Sequence, residues 1–143
     1  MTDWDSMPPI ITDEETTTSV TNELTGKIYE VPAGKRWLLI GWHSRHAAGG
    51  PQATATVFQS ANVGFADSTK SFQVTYSFEN DLAVGESTGT RGNPGWATLL
   101  TLVNQRTFSP TEINAGGTLL IDWAASAADE SIITGIIYKE VSV

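Results

Sequence analysis

Residues 71–78 read SFQVTYSF, an unbroken alternation of apolar and polar side chains. Phe72, Val74, Tyr76 and Phe78 fall on one side of an extended chain, and Ser71, Gln73, Thr75 and Ser77 on the other. Successive side chains of a pleated strand point to opposite faces, so this period predicts a strand with one buried and one solvated face. Working outward, strands are expected at Lys27–Val31, Arg36–Ser44, Thr54–Gln59, Ala97–Val103, Thr118–Trp123 and Ile132–Val141, with a shorter one near Asp81–Val84. Between them lie PAGK (32–35), AAGGPQ (47–52), GTRGNPG (89–95) and NAGG (114–117), whose Gly, Pro and Asn residues suit turns. No window of 11 or more residues keeps a helical period, and SPTEIN (109–114) offers at most one helical turn.

This spacing predicts an all-β domain, a two-sheet antiparallel β-sandwich of jelly-roll type. An immunoglobulin-like sandwich is the other arrangement, but the Cys pair that marks it is absent. VPAGKRWLLI (31–40) and INAGGTLLID (113–122) share a layout of apolar residue, Gly-containing turn and strand, and read as two similar strand lead-ins.

Residues 1–22 differ from the remainder. They carry five acids and no base, contain Pro8-Pro9, and show no sustained period. The reading is an extended acidic N-terminal arm ahead of a sandwich over 23–143, with Trp4, Met7, Ile10 and Ile11 as candidate anchors. Because the predicted strands begin near Lys27, the arm is expected to be separable from the fold.

Three predicted strands are apolar on both sides. Trp37, Leu39 and Gly41 alternate with Leu38, Ile40 and Trp42; Ile132, Ile136 and Tyr138 alternate with Ile133, Ile137 and Val141; ATLLTLV (97–103) is similar. A sandwich core uses one face. At roughly 25 cal/mol per Å², leaving the second in water is costly, so something covers it. The arm is one candidate and contact between subunits the expected one, which makes Trp37, Trp42, Ile133 and Ile137 candidates for an oligomer interface.

With 16 acids against 8 bases the chain has a net charge of −8, and its bases are scattered except for Lys35-Arg36. That is the wrong surface for phosphates, so nucleic acid is not an expected partner. The longest strongly apolar run, Trp37–Trp42, is far shorter than the roughly 20 residues of a membrane span, and the acidic N-terminus does not read as a signal peptide. No Cys is present, which removes disulfides and thiolate chemistry.

The remaining chemistry is thin. His43 and His46 are three apart, and on a strand they point to opposite faces, with His43 expected at the strand end and His46 in the loop. The cupin-type metal motif needs two His two apart, a Glu shortly after and a third His, and this chain has two histidines in all. No metal or cofactor is expected. Gly85-Glu-Ser-Thr-Gly89 matches the nucleophile-elbow pattern, but TGTRGNPGW (88–96) cannot supply the helix it requires. Glu79 with Asp81, and Asp129-Glu130, sit beside turns and read as solvated acids, not a facing pair. Arg91 and Trp96 are expected on an exposed loop.

Taken together, YEVPAGKRWLLIGW (29–42), INAGGTLLIDW (113–123) and ADESIITGIIYKEV (128–141) resemble the small jelly-roll head decoration (cement) proteins and related virion accessory proteins of tailed bacteriophages. The resemblance is one of layout over residues 27–143. It implies a non-enzymatic homotrimer on the outer capsid surface, made in the host cytoplasm, that clamps neighbouring copies of the major capsid protein. The acidic arm fits an outer position. Competing readings are a carbohydrate-binding sandwich module, from a phage fibre or a secreted protein, and a jelly-roll capsid subunit.

Overall fold

A computed structural model describes residues 3–18, 24–48, 58–82, 87–90, 102–106, 109–125 and 131–143. The described residues form a short 3-10 turn, Trp4–Ser6, and ten strands: β1 (Ile10–Thr18), β2 (Leu24–Glu30), β3 (Lys35–Ala48), β4 (Phe58–Ala66), β5 (Ser71–Leu82), β6 (Ser87–Thr90), β7 (Leu102–Arg106), β8 (Thr111–Ile113), β9 (Thr118–Ala125) and β10 (Ser131–Ser142). One sheet runs β1-β10-β3-β6-β7, with β8 also on β3, and the other runs β2-β9-β4-β5. The pairs are nested: β4 with β5, β3 with β6 and β8, β2 with β9, β1 with β10. A long hairpin folded over so that alternate pairs enter opposite sheets has this order. It is a jelly roll, antiparallel throughout the described pairs except where β6 meets β7 in parallel.

Several boundaries differ from the sequence reading. β4 extends to Ala66, where Thr54–Gln59 was expected, and residues 54–57 lie outside the described residues. Asp81 and Leu82 complete β5 and form no separate strand, and within 97–103 only Leu102 and Val103 are described, in β7. Thr111–Ile113 is a strand on β3, not a helical turn, because its backbone pairs with Trp37–Leu39. Of the first 22 residues, 3–18 are described, and nine of them, Ile10–Thr18, are β1, paired along β10 from Ile10 opposite Tyr138 to Thr18 opposite Ser131. The segment is a strand of the sandwich, so removing it would strip β10 of an edge partner.

The core is set by one irregularity. Between β3 and β10 the register slips by a residue: Gly41 opposes Ile137, yet Leu39 opposes Tyr138, leaving Ile40 as the extra residue. Such a bulge reverses the alternation. Trp37 and Leu39 before it and Trp42 after it therefore all point inward, where they meet Ile132 and Ile136 of β10 and Val63, Leu119, Ile121 and Trp123 of the opposite sheet. Trp37 stacks on Tyr138 with ring centroids 4.1 Å apart and donates its indole N–H to Glu140 at 2.9 Å. Trp37 and Trp42, expected at an oligomer interface, are thus core residues of the single chain.

One end of the sandwich is closed by three interlocked turns. Pro32–Lys35 and Asn114–Gly117 each close with an i to i+3 hydrogen bond, 3.1 and 3.0 Å, and each puts a glycine at the third position with φ near +75°: Gly34 at 74° and Gly116 at 77°. That is type II geometry, which a residue with a Cβ adopts only under strain. Val31 joins the two turns, donating to the Gly117 carbonyl and accepting from Gly116 N–H. The β4–β5 hairpin is locked by Asp67. Its Oδ1 accepts from the backbone N–H of Thr69 and Lys70 and from the Thr69 hydroxyl, and its Oδ2 from the backbone and side-chain N–H groups of Asn114. The Asn114 backbone N–H first, with the Thr69 and Lys70 donors, holds this carboxyl far below the usual carboxylate range.

Asp67→Ala should therefore cost about 2–3 kcal/mol of stability near neutral pH, since hydrogen bonds to a charged group are the stronger kind. Because the folded carboxyl titrates below its unfolded value, its contribution is complete above about pH 5 and is lost as pH falls through about 4 and lower. Urea unfolding of wild type and variant across that range should show the gap narrowing in acid.

Candidate functional site

β3 runs on to Ala48, so His43 and His46 both lie on a strand, and His46 is not in a loop. They face opposite ways. His46, opposite Ile132, points inward and is fully buried. His43, opposite Gly135, lies on the outer side, where a Cβ on Gly135 would strike both the imidazole and the Thr12 carbonyl. Glycine at 135 is what lets the ring lie across β10 beside β1. Burial, with Arg45 adding to it, lowers the His43 pKa to about 4. Between the histidines, the inward Ser44 accepts the Trp123 indole N–H at 2.9 Å, while the Tyr29 hydroxyl donates to the Thr134 carbonyl at 3.3 Å. These two bonds tie the sheets across the core. Among the described residues no three His, Asp or Glu side chains gather in a way that would hold a metal ion.

The second apolar face of the larger sheet is covered within the chain. Trp4 lies on it, donating its indole N–H to Glu112 at 2.7 Å and accepting the Lys139 ammonium on its carbonyl at 2.8 Å. Glu112 and Lys139 both flank Leu38 in the sheet, which places this anchor on the outer side. Ile137, on the same side opposite Ile11, is 1% exposed in the isolated chain. Met7, Ile11 and Ile133 are half-buried, and Ile10 is exposed. Ile137, expected at an intersubunit contact, is thus buried within the single chain, whereas Ile133, opposite Thr16, stays half-buried. The Trp4 anchor uses two charged partners, Glu112 and Lys139, both carried by the sheet.

The outer side of the smaller sheet is open. Its register sets Glu30, Thr118, Ala66 and Ser71 in one row, and Ile28, Leu120, Gly64 and Gln73 in the next, with Gly26, Asp122 and Asn62 beyond. Gly64 and Ala66 leave a trough of about 410 Å³ along β4, lined by Asn62, Ser71, Gln73, Thr118, Leu120 and Asp122. Ile28 stands beside Leu120 at 62% exposure. Asp122 lies over Gly26, where a Cβ would collide with its Oδ1, and burial raises its pKa. No single residue in this arrangement announces itself in the sequence. Only the cross-strand register assembles it.

Other sequence candidates resolve more simply. Ser87 opens β6, pairing with Arg45 on β3, where a nucleophile elbow would need a strand turning into a helix. Glu79 and Asp81 lie within β5, close to its end at Leu82. Arg91, Trp96, Asp129 and Glu130 lie outside the described residues.

Two outcomes follow from this geometry. Since the folded His43 resists protonation, stability should fall as pH drops from about 6.5 towards 4, by up to about 3 kcal/mol in all, as only the unfolded chain takes up the proton. Denaturant midpoints measured across that range should fall less steeply in His43→Gln. Trp4→Ala should free the N-terminal segment, raising amide exchange at Ile137 and costing about 1–2 kcal/mol. Unchanged exchange there would mean that Trp4 does not hold the cover. Compared with protein-family models, curated proteins and solved structures, the chain matches none.

Proposed function

We propose that this chain is a non-enzymatic virion structural protein, a decoration (cement) protein that binds the outer surface of a capsid as a homotrimer. The observation that carries the reading is the rigid, partly apolar end of the jelly roll. Phe72 and Val143 are 40% and 65% exposed at the end where β2 turns into β3. Phe72 is nonetheless stacked on Phe65, 5.3 Å between ring centroids, and the Val143 N–H is bonded to the Gly34 carbonyl. Exposed apolar side chains held beside these cross-linked turns lose little freedom on docking, which favours attachment to a preformed surface. The net charge of −8 and the scattered bases support an outer position away from packaged nucleic acid.

Trp37 and Trp42 take no part in the trimer, being spent on the core, and residues 4–11 serve the chain's own sheet before any neighbour. The capsid contact is therefore assigned to the turn-bearing end. Co-sedimentation with empty heads should show saturable binding, weakened about tenfold or more by Phe72→Ser together with Val143→Ser. Light scattering should give three times the 15.3 kDa chain mass. A monomer that fails to sediment with heads would end this reading.

A further inference from the structure

On the outer side of the smaller sheet, we propose that the trough along β4 is a binding site for a neutral oligosaccharide. This inference does not rest on the virion reading, although Phe72, assigned there to the capsid contact, also borders the trough.

The floor argues first. Glycine inside a strand weakens it, and where it persists it commonly marks a bulge or the close approach of a ligand or another backbone. Gly64 pairs in register on both sides, with Gln73 and with Leu120, so no bulge explains it. Its φ is not in the left-handed region, so the backbone conformation does not call for glycine, although a Cβ there would stand 3.3 Å from the Phe72 carbonyl oxygen and β5 would have to yield by a few tenths of an ångström. What glycine provides, with Ala66 next along the same face, is depth between the Leu120–Thr118 wall and the Gln73–Ser71 wall. The resulting 410 Å³ lies within the range of small-ligand clefts, about 300–1,000 Å³.

Asp122 argues second. Its carboxylate is half-buried at the end of the trough, and burial raises its pKa. Gly26 beneath it makes room for the carboxylate to lie at the end of the trough. A half-buried carboxylate in that position can accept a hydrogen bond from a donor on a bound ligand.

The lining identifies the donor. Asn62 and Gln73 carry amides and Ser71 and Thr118 hydroxyls, all of which both donate and accept, and Asp122 only accepts. Sugar hydroxyls likewise donate and accept, and Leu120 with the exposed Ile28 offers apolar surface to the C–H side of a ring. Asp122 is the one ionisable residue of the lining and it is acidic, on a chain of net charge −8, which disfavours phosphate, sulfate and sialic acid. One acid among neutral groups is also a poor match for a polycation. The shape is a groove open along its length, suited to a chain of sugars more than to a single enclosed molecule.

The test is an NMR titration of the full chain with four neutral probes, cello-, manno- and galacto-oligosaccharides and chitotetraose, and two charged ones, sialyllactose and spermine. At least one neutral probe should bind saturably at millimolar concentration or below, shifting the amides of Gly64, Gln73 and Leu120. Sialyllactose and spermine should bind about tenfold more weakly or not at all. Gly64→Leu, which fills the floor, and Asp122→Ala should each lower affinity about tenfold or more. Gln73→Ala, at an exposed wall position, keeps the test decisive if either of those unfolds, and should also weaken binding. The proposal is overturned if no neutral probe shifts these amides, if spermine binds in preference, or if binding survives all three variants.

Discussion

The one-residue slip between β3 and β10 is the constraint on which the rest of this jelly roll depends. Without it, strict alternation would send Trp42 to the opposite face from Trp37 and Leu39. With it, the long strand delivers all three side chains to one core while keeping its pairing on both sides of the bulge. The opposite sheet then closes over them through Leu119, Ile121 and Trp123, and the inward Ser44 is placed to accept the Trp123 indole. A bulge costs a ladder hydrogen bond locally, but burying an additional tryptophan returns considerably more.

The same slip decides what is left over on the two outer faces. On the larger sheet it leaves Gly41, Ile137 and His43 facing outward, a surface too apolar for water. Residues 4–11 answer it, with Trp4 pinned between Glu112 and Lys139 and β1 completing the edge of β10. The smaller sheet has no such cover. Its outer side is mostly hydroxyls and amides and can stay wet, apart from Ile28, Leu120 and the desolvated Asp122. One face is thus sealed for stability and the other is open, and that asymmetry is the chief functional statement the fold makes.

Much of the site was not legible in advance, for reasons that differ by residue. The opposition of His43 and His46 follows from strand geometry and could be read directly, as could the failure of Ser87 to meet the demands of an elbow. The continuation of β4 was readable in principle, because Val63 and Phe65 alternate with Asn62 and Gly64, yet glycine and asparagine there look like a turn. Trp37 and Trp42 were misplaced because nothing in WLLIGW marks Ile40 as a bulge. The trough could not be seen at all, since Gly64, Gln73, Leu120 and Asp122 belong to three separate strands.

By itself, the sequence determined the all-β class, the two-sheet sandwich, the absence of thiol chemistry and the two glycine-dependent turns at PAGK and NAGG. These depend on local periodicity and on φ preferences, which act over two to four residues. Only the tertiary structure decided which face of β3 is core, that the N-terminal segment covers its own sheet, and that a glycine floor lies beside a half-buried carboxylate. Those depend on register between strands far apart in the chain. A shift of one residue in such a pairing reverses every side chain beyond it, and no local pattern records the shift.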